Sequence, residues 1–223
     1  MRGRLGLSLV LAVGLGLLIL LFAVPGCSGV RGANGAPAAS TPSAIPELSA
    51  NGYYRQGTAY LDTGEYTLAI DSLTRAIQLD PGSEAAYTKR GQALLALDQP
   101  APALDDFLVA TALNPNYVPA QLGAADIFRT TGHYAQALAH YRRVIERDPT
   151  HLDAHRHLAR LYHLQWEYAP AVDHYTRVLA LHPGALDALL NRGLCYAAMR
   201  DFPPALADFS RYLDAPPEDT TPG

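Results

Sequence analysis

Residues 77–91, "IQLDPGSEAAYTKRG", mark the place where one predicted helix ends and the next begins. Asp80, Pro81 and Gly82 stop the helical pattern that precedes them, and Ser83 is a good N-cap for the residues that follow. Closely similar stretches recur further along the chain, at residues 112–124, 146–159 and 180–193. If this recurrence has a fixed period, the period determines the fold.

The recurrence has a period of 34 residues, which is clearest in five prolines. They are Pro81, Pro115, Pro149, Pro183 and Pro217. When Ala50 is counted as position 1 of the first unit, these prolines occupy position 32 of each unit. Position 20 is alanine in all five units, at Ala69, Ala103, Ala137, Ala171 and Ala205. Position 8 is glycine or alanine, and position 24 is leucine, phenylalanine or tyrosine. Chance does not keep five alanines in register over this length.

Within each unit the pattern predicts two antiparallel helices. In the first unit the apolar residues follow helical spacing from Tyr66 to Ile77, and Asp62, Thr63 and Gly64 form a turn signal before them. Positions 8 and 20 must be small because the two helix backbones approach closely there, and the side chain at position 24 or 17 fills the adjacent hollow. One hairpin cannot bury its apolar faces alone, so the hairpins must stack on a shared core.

This pattern of small residues at positions 8 and 20, aromatic residues at 11, 17 and 24 and proline at 32 resembles the tetratricopeptide repeat (TPR). The resemblance covers residues 50–217, about three quarters of the chain. It implies an all-α fold, a right-handed α-solenoid of five helix hairpins whose concave groove is lined by the first helix of each hairpin. The predicted repeats are residues 50–83, 84–117, 118–151, 152–185 and 186–217, with a tail at 218–223.

In the TPR family the groove holds an extended peptide or a helix of another protein. Carried over by position, the resemblance places these partner-binding residues in the groove: Tyr54, Thr58, Thr88, Gln92, Asp126, Arg129, Arg156, Arg160 and His163. The usual carboxylate clamp of chaperone-binding TPR domains is absent, because its Lys and Asn positions hold Tyr54 and Thr58. The resemblance therefore predicts a protein or peptide partner of a different kind.

The basic residues of the third and fourth repeats suggest one kind of partner. Arg129, Arg156, Arg160 and His163 should project into one stretch of the groove, where they could accept an acidic or C-terminal carboxylate group. The alternative is a solvated polar face in which the arginines pair with Asp126 and, in the next repeat, with Asp153. Both interpretations remain open from the sequence.

The end of the last repeat departs from the family pattern. Only "EDTTPG" follows Pro217, so the extra solvating helix that many TPR arrays carry is missing. The fifth repeat must cap the solenoid itself or be covered by a partner. A homo-oligomer built through this end is therefore the alternative to a peptide-binding scaffold.

The first 27 residues have the pattern of a signal or anchor segment. Arg2 and Arg4 precede an uncharged apolar run at residues 5–24, which as a helix of about 30 Å could cross a bilayer. The positive residues before the run favour a cytoplasmic N-terminus and export of everything after it. The sequence therefore predicts a membrane-anchored protein on the extracytoplasmic side, either periplasmic or at the cell surface.

Cys27 leaves two interpretations of this segment open. Residues 23–27, "AVPGC", resemble a bacterial lipobox, in which the cysteine is lipidated and becomes the new N-terminus, although Pro25 does not fit the pattern. Alternatively, the run remains as an uncleaved transmembrane anchor and Cys27 is an inert thiol at the membrane edge. Residues 28–49, rich in Gly, Ala, Pro and Ser, predict a flexible linker.

Other functions find little support in the sequence. A formal net charge of −4 is too balanced for a dedicated nucleic-acid binder, and the chain lacks the common phosphate-binding, metalloprotease and hydrolase motifs. No cofactor or metal is expected. Cys195 is predicted to be a buried thiol, while Trp166 stands in a helix–helix turn as either a partner anchor or a local packing residue. The sequence thus predicts a non-enzymatic scaffold.

Overall fold

Ten α-helices and no strands make up residues 48–215, the part of the chain that the computed structural model describes. The helices are α1 Ala50–Asp62, α2 Tyr66–Leu79, α3 Glu84–Ala96, α4 Pro100–Leu113, α5 Val118–Thr130, α6 Tyr134–Arg147, α7 Leu152–Leu164, α8 Tyr168–Leu181, α9 Leu186–Ala198 and α10 Phe202–Leu213. The first helix of each pair begins 34 residues after the previous one. Each helix packs on its neighbours in the chain, and α3 also packs on α1 and α5. The prediction of an all-α solenoid of five hairpins is confirmed.

The predicted N-terminal apolar helix, and the linker up to residue 47, lie outside the described residues. No helix within residues 48–215 combines the length and apolar character that crossing a membrane requires. The cysteine proposed for lipidation, Cys27, likewise lies outside the described part of the chain, as does the tail at 218–223.

Three of the four loops between hairpins have an Asx turn at position 31, and the fourth has histidine there. Asp80 Oδ1 accepts a hydrogen bond from Gly82 N at 3.1 Å, and Asp148 Oδ1 accepts from Thr150 N at 3.0 Å. Two of the four following helices are also capped by a side chain, as where Ser83 accepts from the backbone N–H of Ala86. These bonds satisfy backbone groups that a helix end would leave without partners. The proline at position 32 adds stiffness to a turn that is already fixed.

The turn inside each hairpin places position 15 in the left-handed region of backbone conformation. The residues with positive φ are Gly64, Asp98, Gly132, Trp166 and Arg200. Glycine adopts this conformation without steric cost, whereas a bulky side chain there is uncommon. The turn geometry is thus the same in all five repeats, although only two of them have glycine at this position.

The small residues at positions 8 and 20 mark the closest approach within a hairpin. A Cβ atom added to Gly57 would lie 2.6 Å from Leu73 Cγ and 3.2 Å from the carbonyl oxygen of Ala69. The side chain at position 24 of the same hairpin therefore fills the space that glycine leaves, and the partner backbone stands just behind it. This confirms the predicted close approach, and of the two positions predicted to fill the adjacent hollow it is position 24 that does so here.

A buried ion pair joins the two helices of the second repeat. Arg90 donates through Nε and Nη2 to both carboxylate oxygens of Asp106, at 2.8 and 2.7 Å, and through Nη1 to Thr74 of the preceding repeat at 3.1 Å. The fifth repeat has the same arrangement, in Arg192, Asp208 and Thr176. The two-pronged contact satisfies a carboxylate that is almost fully buried, which offsets the cost of its desolvation.

Histidine takes the place of this aspartate in the third and fourth repeats. His140 Nδ1 lies 2.6 Å from the side-chain oxygen of Gln121, and His174 Nδ1 lies 3.0 Å from His155 Nδ1. His155 Nε2 donates to the carbonyl oxygen of Pro149 at 3.0 Å, so its Nδ1 is the acceptor for His174. His174 is therefore the donor in this pair.

We expect Ala137→Leu to destabilise the fold by about 1–3 kcal/mol, because a larger side chain overpacks the closest approach of two helices. Ala137 is completely buried, in the cluster that also holds Tyr141. The matched control is Pro149→Ala, which should cost much less because Asp148 holds the turn through Thr150. Urea unfolding of both variants measures the difference. Equal losses would contradict the close-approach explanation.

The His155–His174 pair should make stability depend on pH. Burial lowers the pKa of His174 from 6.5 to about 4. The neighbouring His155 and Arg142 lower it further, and Asp173 partly opposes them. The unfolded chain therefore binds a proton first as pH falls, so stability is lost between about pH 6.5 and pH 4, by about 1–3 kcal/mol from this group. Below pH 4 the loss from this group should level off.

Urea unfolding at several pH values between 7 and 4 measures this loss for the wild type and for His174→Gln. The variant should lose less stability, because glutamine can still bond to His155 but does not titrate. The control is His182→Gln, which removes an exposed histidine and should leave the pH dependence as in the wild type. An unchanged loss in His174→Gln would show that the pair does not govern it.

Candidate functional site

The residues predicted for the groove lie on the first helices of four consecutive hairpins. Tyr54 and Thr58 are on α1, and Tyr54 lines a cavity of about 230 Å³ in front of the loop that leads to α3. Thr58 Oγ1 donates to the carbonyl oxygen of Tyr54 at 2.9 Å, and Gln92 on α3 is half-buried. Tyr54, Thr58 and Gln92 are all uncharged, so the predicted groove residues on α1 and α3 bring no charge to the surface.

Thr88 does not line the groove surface, which corrects its assignment there. It is 1% exposed, and its hydroxyl donates to the carbonyl oxygen of Glu84 at 2.8 Å. The side chain is therefore shielded from solvent. Its hydroxyl is therefore already satisfied within its own helix and cannot be offered to a partner.

The charged part of the surface begins on α5, around a buried tyrosine. Asp126 accepts a hydrogen bond from the hydroxyl of Tyr141, and Arg129 donates to the same hydroxyl at 3.3 Å and to Asp126 at 3.3 Å. His157 stacks on the Tyr141 ring at 5.1 Å, and burial lowers the pKa of this histidine. Tyr141, Asp126 and Arg129 form a closed hydrogen-bonded network, whereas Nδ1 of His157 is buried without a hydrogen-bond partner among residues 48–215.

The arginines of α7 are paired as well. Arg156 donates to Asp153 at 3.0 Å and lies 3.4 Å from Asp187 of α9, while Arg160 donates to the same Asp187 at 3.0 Å. Two arginines therefore face two aspartates, and the cluster has no net charge. These contacts match the polar-face interpretation and extend it to Asp187.

The pairing does not consume all the hydrogen-bonding capacity of the cluster. Arg160 is about half exposed and makes one side-chain hydrogen bond within the described residues, through Nη2. Since a guanidinium carries five N–H donors, most of those of Arg160 remain available. His163, one helical turn further on, lies beside Arg160 at the same cavity. The site residues named from the sequence stay a prediction, with Arg160 the one best placed to bind.

Trp166 is the exposed aromatic residue of this region. Its side chain is 78% exposed and touches Tyr168 edge-on at 6.3 Å between ring centroids. The sequence left two roles open for Trp166, a partner anchor and a local packing residue. Packing within the chain covers only a small part of its side chain. Cys195, in contrast, is fully buried as predicted, and burial raises its pKa to about 11, so the thiol stays protonated.

Within 48–215 no three histidine, cysteine, aspartate or glutamate side chains stand close enough together to hold an ion. The nearest pair of histidines with bonded nitrogens, His155 and His174, uses those nitrogens on each other. The chemistry that the surface offers is hydrogen bonding and ion pairing from Arg, Tyr and His side chains.

Solved structures with similar folds include YrrB, described as "a TPR protein with an unusual peptide-binding site", with a TM-score of 0.69 and 19% identity over 77% of this chain and 88% of that chain. MamA from Desulfovibrio magneticus RS-1 has a TM-score of 0.65 and 18% identity over 74% of this chain and 93% of that chain. At identities this low, the structural similarity shows a shared fold alone. The first TPR of Spaghetti (RPAP3), bound to an HSP90 peptide, has a TM-score of 0.51 and 27% identity over 52% and 93% of the two chains.

Family models agree with the structural comparison. A model described as TPR repeat matches residues 57–98, and two described as tetratricopeptide repeat match residues 118–161 and 165–220. No curated protein sequence matches the chain significantly. With the period, the ten described helices and three family matches in agreement, the chain belongs to the tetratricopeptide repeat family.

Proposed function

We propose that this protein is a non-enzymatic scaffold that binds a peptide or helix of a partner protein on the surface formed by α5, α7 and α9. The observation that carries the proposal is the row of Arg129, Arg156 and Arg160, held in fixed orientations by aspartates yet still able to donate. Bidentate contact with carboxylates is what guanidinium groups provide best. That YrrB has a peptide-binding site and that the RPAP3 domain binds an HSP90 peptide supports the same use of the fold here.

The proposed location is the outer side of a membrane, with the repeats held away from it by the linker at residues 28–49. This rests on the sequence: two arginines before an apolar run of 20 residues, followed by a cysteine in a lipobox-like context. Such a layout suits a scaffold in the assembly of an envelope complex, which is an analogy at the level of fold. Treatment of cells with labelled fatty acid, comparing the wild type with Cys27→Ser, tests the lipid anchor directly.

A second candidate function is a homo-oligomer assembled through the fifth repeat. The observation that favours it is the outer face of α10, where Phe202, Leu206 and Leu213 are all exposed and Phe209, at position 24, is only half-buried. An exposed apolar patch of this kind is typical of a contact surface. The molar mass of residues 46–223 should rise with concentration if this face pairs, and Leu206→Glu should then abolish the rise.

Affinity capture from membrane extract tests the groove. The wild type is compared with a triple variant, Arg129→Gln, Arg156→Gln and Arg160→Gln, which removes the donors without placing new negative charges beside the aspartates. The matched control changes three exposed arginines of the second helices, Arg75→Gln, Arg143→Gln and Arg177→Gln, and so has the same net charge. We expect a partner that the wild type and the control retain and the groove variant loses. The same set captured by all three would contradict binding at this surface.

A further inference from the structure

Two tyrosines at the same repeat position differ in their hydrogen bonding. Tyr141 and Tyr175 both occupy position 24, and both are completely buried. The hydroxyl of Tyr141 donates to Asp126 and accepts from Arg129. The hydroxyl of Tyr175, although equally out of contact with solvent, has no hydrogen-bond partner in residues 48–215. A buried hydroxyl without a partner is destabilising and is uncommon in native folds.

The difference arises at position 9 of the first helix. The third repeat has Asp126 there, so a carboxylate is present to accept from the tyrosine hydroxyl. The fourth repeat has Arg160 at the same position and His163 in place of Arg129. Burial raises the pKa of Tyr175 well above its usual value, so its hydroxyl keeps the proton and is a donor. The fourth repeat therefore holds the tyrosine and a guanidinium but lacks the carboxylate that completes the third.

An open cavity lies against Tyr175 and Arg160. Its volume is about 530 Å³, and its lining includes Tyr175, Arg160, His163, Asn191 and Leu164. Asn191 of the fifth repeat and His157 of the fourth are both at position 6. His157 stacks on Tyr141, and Asn191 lines the same cavity as Tyr175. Arg160 is bound only through Nη2 to a side chain among the described residues, so its other donors can turn toward a ligand in the cavity.

Trp166 completes the cavity on the side of the hairpin turn. It has a φ of 62°, in the left-handed region, whereas Gly64 and Gly132 occupy this position in two other repeats. A bulky residue in this conformation carries strain, and here it also leaves its indole 78% exposed beside the exposed Leu164. Exposed tryptophan next to a polar cavity is a typical anchor in protein recognition.

We propose that the cavity of the fourth repeat binds a carboxylate of a partner peptide, which takes the place that the Asp126 carboxylate occupies in the third repeat. The carboxylate accepts hydrogen bonds from the hydroxyl of Tyr175 and from Arg160. An apolar side chain next to it in the peptide packs against Leu164 and Trp166. This inference rests on the proposed function, since it names the chemistry that the groove recognises. Because the surrounding charges cancel, orientation rather than net charge supplies the specificity.

The first measurement uses three short probe peptides on the full-length chain in lipid nanodiscs. They are acetyl-Ala-Ala-Leu-Leu with a free C-terminal carboxylate, the same peptide as its C-terminal amide, and acetyl-Ala-Glu-Leu-Ala amide. Trp166 is the single tryptophan of the chain, so its fluorescence reports binding at this cavity. We expect the free acid or the glutamate peptide to bind at least about tenfold more tightly than the neutral amide. Which of the two binds identifies a chain-terminal or a side-chain carboxylate as the ligand.

Tyr175→Phe and Tyr141→Phe form the matched pair of variants. Tyr175→Phe should weaken binding of the carboxylate probe by about tenfold and leave the thermal midpoint unchanged or higher, because it removes a hydroxyl that has no partner. Tyr141→Phe should lower the thermal midpoint, because it breaks bonds to Asp126 and Arg129, while probe binding at the fourth repeat stays the same. Trp166→Gly should keep the fold, because two other repeats have glycine at this position. Since the variant has no tryptophan, calorimetry measures its binding, and the affinity for acetyl-Ala-Ala-Leu-Leu should fall.

Two results would overturn the proposal. One is equal affinity of the three probes, including no binding by any of them. The other is carboxylate binding that is unaffected by Tyr175→Phe. A partner captured through the groove arginines whose retention survives Tyr175→Phe would leave the proposed function standing and reject this site alone.

Discussion

The close approach of two helices at positions 8 and 20 is the constraint on which the rest of the structure depends. A Cβ on Gly193 would lie 2.6 Å from the ring of Phe209, so the side chain at position 24 occupies the space that the small residue leaves. This contact fixes the separation of the two helices in each hairpin and the direction in which position 24 points. Because each hairpin is fixed in the same way, equivalent positions of successive first helices fall on one surface.

The same constraint determines the chemistry of that surface. Position 24 points toward positions 9 and 12 of its own first helix, so a polar atom at its tip must find a partner there. Phe107 in the second repeat needs none, and Tyr141 in the third finds Asp126 and Arg129. Tyr175 in the fourth does not, since Arg160 replaces the aspartate. The exchange of aspartate for arginine at position 9 and of arginine for histidine at position 12 thus leaves the tyrosine hydroxyl without the partners that it has in the third repeat.

Most of the fold could be predicted from the sequence, because the 34-residue period repeats local signals that are each weak but always fall in register. Contacts between distant residues could not be predicted. Arg90 meets Asp106 across the hairpin, and Asp187 joins two arginines from a different repeat, which no local pattern indicates. Of the candidate site, the arginines of α5 and α7 could be placed on one surface from their repeat positions. The burial of Thr88 and the isolation of the Tyr175 hydroxyl depend on three-dimensional packing that position alone does not specify.

The two ends of the described array differ in how they meet the requirement for a covered core. At the start, Tyr53 and Tyr60 cover the first hairpin with large rings whose polar tips tolerate solvent. At the end, α10 exposes Leu206 and Leu213, which have no polar group to offer water. The outer face of the fifth repeat is therefore apolar at the end of the described residues. The carboxylate cavity therefore lies between a closed network on α5 and an apolar end on α10, so a peptide bound at Arg160 and Trp166 could extend across α9 and cover part of that face.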